Sequence, residues 1–403
     1  NSLEFFAAYQ VREGADPTSA LVRNGVSNHT LRDLRQDVLH DRLPQVTWIV
    51  APYAYSEHPT SSPADGAFYI RQVLDALTAN AKVWSRTVLF LNYDENDGFF
   101  DHVVPPAPPL RSGTDGEGVV SDSLVHGLRD EIMDLDRHAR IASPLVAGSD
   151  PLGMQPVGLG NRVPMIVVSP WTRGGWVCSE TFDHTSVLRF LEKRFGVEEP
   201  NISAWRRAIC GDLTSAFDFA GKTDVAVPRI GVPRGSSGKA PIAVPGTQTM
   251  PGQEPGTRPA RALGYAWTVR HGIERDASHL AFDNSGEAGA AFMVYDGLHR
   301  DAPPRRYAVA ARDRIDDRWP LAMTGDGYDR RVHGPNGYVA AFRGFADDTL
   351  EAWVEGVPGA RSVTVTLVNG GSQPVACRVA NAYASTAPIE LSIAAGGKHA
   401  LTL

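Results

Sequence analysis

The 403 residues leave room for two or three domains at about 100–200 residues each. Hydrophobic residues make up 42% of the chain and charged ones 21%, so it can bury real cores, and no apolar run approaches the roughly 20 residues of a membrane span. A net charge of −7 argues against nucleic acid as a partner, since such a binder gathers lysines and arginines on one face.

The first 220 residues read as alternating helices and strands. Leu31, Leu34 and Val38 recur at helical spacing after Asn28, His29 and Thr30, the pattern of a capped amphipathic helix. Val46 to Val50 (VTWIV) is predicted to be a buried strand, because β-branched and aromatic residues run together without alternation. Tyr69 to Leu77 places Ile70, Val73, Leu74 and Leu77 on one helical face. Thr87 to Tyr93 and Met165 to Ser169 read as two further buried strands, and a helix from Thr185 to Phe195 turns Val187, Leu188, Leu191 and Phe195 inward. This order predicts an α/β fold with a mostly parallel sheet covered by helices. From Val225 to Arg258, Pro228, Pro233, Pro241, Pro245, Pro251 and Pro255 alternate with glycines and no hydrophobic period survives, which marks a linker or strap.

Beyond it the period shortens. Residues 278–283, 290–295, 306–311, 338–342, 362–368 and 374–380 read as strands separated by turn residues, the signature of β-sandwiches. LAFDNSGEAGAAFMVYD around Asn284 is echoed by TLVNGGSQPVACRVANA around Asn369, 85 residues on, which points to two copies of one domain. Nothing in the second copy matches Tyr328 to Phe345.

The densest chemistry follows the second strand: Asn92, Tyr93, Asp94, Glu95, Asn96, Asp97, Gly98, Phe99, Phe100, Asp101 and His102. Carboxylates at the end of a sheet strand repel one another unless a cation sits between them, so Asp94 and Glu95 are candidate ligands for a divalent metal, against the alternative of a solvated acidic loop. Gly98 allows close approach, Phe99 and Phe100 wall the loop, and Asp101 is placed to orient the His102 imidazole. Glu57 and His58 follow the first strand, where a histidine can serve as ligand or general acid. A third segment holds Trp171, Arg173 and Trp176, which suit either packing or recognition of a phosphate and a quaternary ammonium. His184 can cap the helix that follows or approach the acidic loop. Cys178 and Cys210 are compatible with one disulfide or with two free thiols. No P-loop, G-x-S-x-G elbow or H-E-x-x-H occurs.

The stretches APYAYSEHP, TVLFLNYDENDGFFDHVVPPAPP, RVPMIVVSPWTRGGWVCSETFDHTSVLRFLEKRFGV and NISAWRRAICGDLTSAFDF closely resemble the bacterial phosphocholine-specific phospholipases C. The wider phosphoesterase family includes an acid phosphatase branch and has an alkaline-phosphatase-like fold. The resemblance implies that Asp94 and Glu95 occupy the positions of the family's metal-binding acidic pair, and that His58, 36 positions upstream, protonates the leaving oxygen. It further implies hydrolysis of phosphatidylcholine, with sphingomyelin as a second substrate, at a membrane or micelle surface by a secreted or periplasmic enzyme. The expected catalytic set is His58, His102 and His184, with Glu57, Phe99, Phe100, Trp171, Arg173 and Trp176 binding substrate. The family's N-terminal Glu-Asn metal ligands and its Ser or Thr nucleophile have no visible counterpart, so a missing N-terminal segment is expected as a partner. The expected domains are the C-terminal part of a catalytic domain over 1–222, a linker over 223–258, a β-sandwich over 259–345 and an incomplete one over 346–403. An acid phosphatase, or an inactive module that binds lipid or glycan, is the alternative.

Overall fold

A computed structural model describes residues 2–403 apart from 27–28, 97, 99–100, 115, 138–152, 222, 228–230, 232–245, 248, 250–251, 253–254, 275–276, 322–326 and 357–358. The chain divides into two compact units, the first made of residues 1–99, 163–175 and 218–258, the second of 100–162, 176–217 and 259–403. Among the described residues no helix is long and apolar enough to cross a membrane.

In the first unit the helix Leu31–Leu39 begins where its sequence says it should. The Thr30 hydroxyl accepts from the Asp33 N–H while the Asp33 carboxylate accepts from the Thr30 N–H, a reciprocal cap that typically contributes about 1 kcal/mol. Pro63 opens the helix Pro63–Leu77, where its missing N–H costs nothing, and Ser62 caps it. Leu34 and Val38 of the first helix close a core with Val73 and Leu77 of the second and with Val83 and Trp84. The strands Leu89–Asn92 and Met165–Val168 pair beside this core.

Two expectations fail here. Residues 46–50 form no strand: Trp48 and Val50 are 68% and 77% exposed on one side of the run, and Ile49 is 38% exposed on the other, so neither face is covered. A strand exists through its ladder, and no neighbour pairs with this run among the described residues. The sheet is also not parallel. Leu89 faces Val168 and Asn92 faces Met165, an antiparallel register that the Tyr93 N–H extends by bonding Pro164 O. A parallel neighbour needs a crossover that returns the chain to the same end of the sheet, usually as a helix packed on it. Most of the intervening chain, residues 100–162, instead belongs to the second unit.

In that unit the helix Thr185–Phe195 forms as expected, but Leu188 and Phe195 are exposed and only Ser186 is fully buried. Its anchorage is largely polar: the Arg189 guanidinium donates to the carbonyls of Arg207 and Cys210, and Arg207 pairs with Glu192. Cys178 and Cys210 are free thiols.

The β region carries two sheets per repeat. Trp267–Glu274, Ala277–Asn284 and Asp313–Pro320 form one, and Val339–Phe345, Gly327–His333, Ala290–Asp296 and Arg305–Val309 the other, all antiparallel. Leu280, Phe282, Phe292, Val294, Tyr307 and Val332 fill the space between them. In the second copy Leu350–Gly356, Val363–Asn369 and Lys398–Thr402 form one sheet, while Val375–Val379 pairs with Ile389–Ile393. The sequence echo has an atomic counterpart. Buried Asn284 donates to Ala288 O and accepts from the Gly286 N–H; buried Asn369 donates to Gln373 O and accepts from the Gly371 N–H, so all three positions shift by the same 85 residues. Each buried amide thereby satisfies backbone groups of a tight corner.

His271 in the first sandwich is 7% exposed, bonds to Ser278 Oγ at 2.9 Å and stacks between Tyr328 and Phe342. Burial, helped by the Arg330 charge, lowers its pKa from 6.5 to about 4. Above pH 6.5 the ring is neutral in both folded and unfolded chains; between 6.5 and 4 only the unfolded chain takes up the proton. Stability is therefore expected to fall by roughly 3 kcal/mol as pH drops through that window. Urea unfolding followed against pH checks this, and His271→Gln should flatten the acid limb even though it lowers the plateau.

Candidate functional site

The first unit brings together two loops that carry candidate chemistry. One runs from the 3-10 turn Tyr53–Tyr55 to the start of the helix Pro63–Leu77. Ser56 Oγ and Ser61 Oγ both donate to Tyr53 O, the His58 N–H bonds Ser56 Oγ, and the Ser61 N–H bonds His58 O at 2.6 Å. This knits a tight loop around His58. The Tyr53 hydroxyl shares a 2.6 Å hydrogen bond with Thr60 Oγ1, which lies 3.5 Å from His58 Nδ1, and the Tyr53 and His58 rings sit 5.6 Å apart. The ring is solvent-accessible on its remaining side.

The other loop leaves the strand Leu89–Asn92. Asp94 and Glu95 are both exposed, and the Glu95 N–H donates to Asp94 Oδ1 at 3.1 Å. Phe99 and Phe100 lie outside the described residues, and Gly98 adopts φ +77°, the left-handed region that favours glycine. Tyr93 joins the two loops. Its hydroxyl donates to Glu57 Oε2 at 2.9 Å, and burial together with the Glu57 carboxylate pushes its pKa up to about 12, so it stays a donor across the physiological range. The signal for Tyr93 in the sequence is its position directly before the acidic pair.

Arg173 lies in the same unit and forms an ion pair with Asp224. Trp171 packs on Phe219, with ring centroids 5.7 Å apart, and its carbonyl accepts the Asp218 N–H.

His102, His184 and Trp176 belong to the second unit. Asp101 does not orient His102: the imidazole is 87% exposed with Nδ1 3.8 Å from the carboxylate, beyond hydrogen-bond reach. Arg162 takes the carboxylate instead, with Nε and Nη2 at 2.7 and 2.8 Å and its backbone N–H at 3.0 Å, and holds Asp101 well below the usual carboxylate range. A guanidinium that meets both carboxylate oxygens at charge-assisted distance occupies the acceptors a histidine would need. His184 stands at the helix N-cap but does not cap the helix through its side chain. Trp176 stacks under the Arg261 guanidinium, 4.4 Å from its ring centre. Behind His184, Asp183 joins a buried cluster in which Arg206 donates to Asp183 at 2.6 Å and to both oxygens of Glu131 at 2.9 Å.

Asp94 and Glu95 offer hard oxygen donors of the kind a divalent cation takes, but only as part of a set. No group of three or more His, Cys, Asp or Glu side chains converges among the described residues.

Comparison with known proteins adds the following. Residues 4–198 match the phosphoesterase family, and residues 259–345 match the bacterial phospholipase C C-terminal domain. Similar proteins include the non-hemolytic phospholipase C of Pseudomonas aeruginosa, 46% identical over 93% of this chain and 54% of the relative, and that of Burkholderia pseudomallei, 44% identical over 96% and 56%. The hemolytic phospholipase C of Pseudomonas aeruginosa is 38% identical over 85% of this chain and 48% of its own length. The chain thus spans about half the length of the curated relatives it matches.

Proposed function

The chain belongs to the bacterial phospholipase C group of the phosphoesterase family, and from that premise we propose that it carries the acid and part of the metal site of an enzyme that hydrolyses phosphatidylcholine to diacylglycerol and phosphocholine. Sphingomyelin shares the phosphocholine group and is the second expected substrate. The observation that carries the reading is the loop pair just described, in which residues flanking His58 and the Asp94–Glu95 pair are hydrogen-bonded to each other. Residues 1–222 are assigned to the C-terminal part of the catalytic domain, 223–258 to a linker, 259–345 to a β-sandwich domain and 346–403 to an incomplete one, in an enzyme that acts outside the cytoplasm.

In the reaction the bond between phosphorus and the glycerol oxygen breaks. That oxygen would leave as an alkoxide, whose basicity makes unassisted departure slow. His58 supplies the proton, and the oxygen of water ends on phosphocholine. Thr60 Oγ1, itself bonded to the Tyr53 hydroxyl, lies 3.5 Å from His58 Nδ1, which leaves Nε2 as the ring nitrogen assigned to meet the leaving oxygen. Asp94 and Glu95 would hold a divalent metal, which when bound offsets charge on the phosphoryl oxygens and lowers the pKa of the attacking hydroxyl. The nucleophile and the remaining ligands are assigned to a segment outside residues 1–403.

The test follows the phosphorus. Phosphatidylcholine vesicles incubated with the protein carrying this chain are expected to give phosphocholine and diacylglycerol by phosphorus NMR and lipid extraction. Choline with phosphatidic acid as products, or activity confined to p-nitrophenyl phosphate, contradicts the reading.

A further inference from the structure

We propose that Tyr93 and Glu57 form a positioning pair that fixes the His58 loop in register with the Asp94–Glu95 loop. The proposal rests on the assignment of His58 as the acid and goes beyond it to the residues that hold the acid in place. Tyr93 precedes Asp94 and Glu57 precedes His58, so one hydrogen bond of 2.9 Å links the two loops at the residues next to their chemical groups. Each end is itself anchored. Tyr93 continues the strand ladder through its N–H to Pro164 O, so its phenol projects from a fixed backbone. Glu57 sits at φ +62°, a left-handed conformation that a residue with a Cβ adopts at a cost and that glycine adopts freely. A side chain kept at such a position points to a use for that side chain.

Gly66 supplies an independent observation. It is buried in the helix Pro63–Leu77 with ordinary helical backbone, where alanine would favour the helix by itself. A Cβ there would overlap Glu57, at 2.5 Å from its Cδ. The helix thus gives up propensity in its second turn to make room for this carboxylate. A loop glutamate that only met solvent would need no such space.

Three variants separate positioning from general support. Tyr93→Phe removes only the hydroxyl, Gly66→Ala displaces Glu57 without touching Tyr93, and Glu57→Gln keeps an oxygen that accepts from the phenol. By hydrogen exchange on the purified chain, Tyr93→Phe and Gly66→Ala are expected to speed amides of residues 56–61 and 93–96 together by about tenfold, the size of one hydrogen bond to a charged group. The helix Leu31–Leu39 should be unchanged, and Glu57→Gln, which keeps a weaker neutral bond, should fall between wild type and Tyr93→Phe. Unchanged exchange at 56–61, or a rise that extends equally to residues 31–39, overturns the proposal. In turnover, Tyr93→Phe should lower kcat on phosphatidylcholine about tenfold with KM unchanged, and less on p-nitrophenyl phosphocholine, whose leaving group needs no proton. If His58→Ala loses equally on both substrates, the acid assignment fails; if His58→Ala discriminates and Tyr93→Phe does not, the positioning role alone fails.

Discussion

Replacing His58 with alanine is expected to slow hydrolysis of phosphatidylcholine by roughly 10²–10⁴-fold, the usual contribution of a positioned general acid. The argument is one of leaving groups. A glycerol alkoxide is far more basic than water at neutral pH and gains from a proton as the bond to phosphorus lengthens. A nitrophenolate leaves without one, so the same variant should lose much less on p-nitrophenyl phosphocholine. The loop around His58 is built for such a task, since Ser56, Ser61 and Tyr53 fix its backbone and Thr60 faces one ring nitrogen. Thr60→Val, which removes that hydroxyl and keeps the shape, should show a smaller loss with the same substrate dependence. Steady-state rates on the two substrates decide the matter, and equal losses would remove His58 as the acid.

The second large effect concerns stability. Arg206 is the cation between Glu131, which is 3% exposed, and Asp183, whose side chain is 6% exposed, and it also donates to Gly158 O. Ser203 Oγ completes the set at 2.6 Å from Glu131. Arg206→Met keeps the aliphatic bulk and leaves two buried carboxylates without a counter-charge. An uncompensated buried charge outweighs any gain in packing, so the loss is expected to be about 3–5 kcal/mol, read as a shift of the urea midpoint. Neutralising the partners in the background of that variant, with Glu131→Gln and Asp183→Asn, should recover part of it. A shift below about 1 kcal/mol in Arg206→Met would mean that the cluster is open to water.

What the sequence made legible was local. The cap at Thr30, the Tyr69 to Leu77 part of a helix that begins earlier at Pro63, and most of the β-strands depend on residues within a turn or a strand of one another, and periodicity reports these. The repeat was legible for a related reason, because the buried corners at Asn284 and Asn369 require the same side chain twice. Long-range pairing was not legible. VTWIV has the composition of a buried strand, but composition cannot supply the neighbour, and the run lies open. The adjacency of Asp101 and His102 suggested a pair, whereas the carboxylate found Arg162, 61 residues away. The same limit hid Arg206 with its two carboxylates and the bond from Tyr93 to Glu57, each joining segments far apart in the chain. For the candidate site, the sequence pointed to His58 and the acidic pair as candidates and did not show the Tyr93 hydroxyl that links their loops.

The most direct test of the central claim, that Asp94 and Glu95 serve a metal beside an acid at His58, is phosphocholine release from phosphatidylcholine before and after chelation. It is run on wild type, Asp94→Asn and Glu95→Gln in the protein carrying this chain. Wild-type release is expected to vanish with chelator and return on adding a divalent cation, while either variant stays low at every cation concentration or needs far more cation. Wild-type release that chelation leaves untouched, or variants that match wild type at low cation, would contradict it.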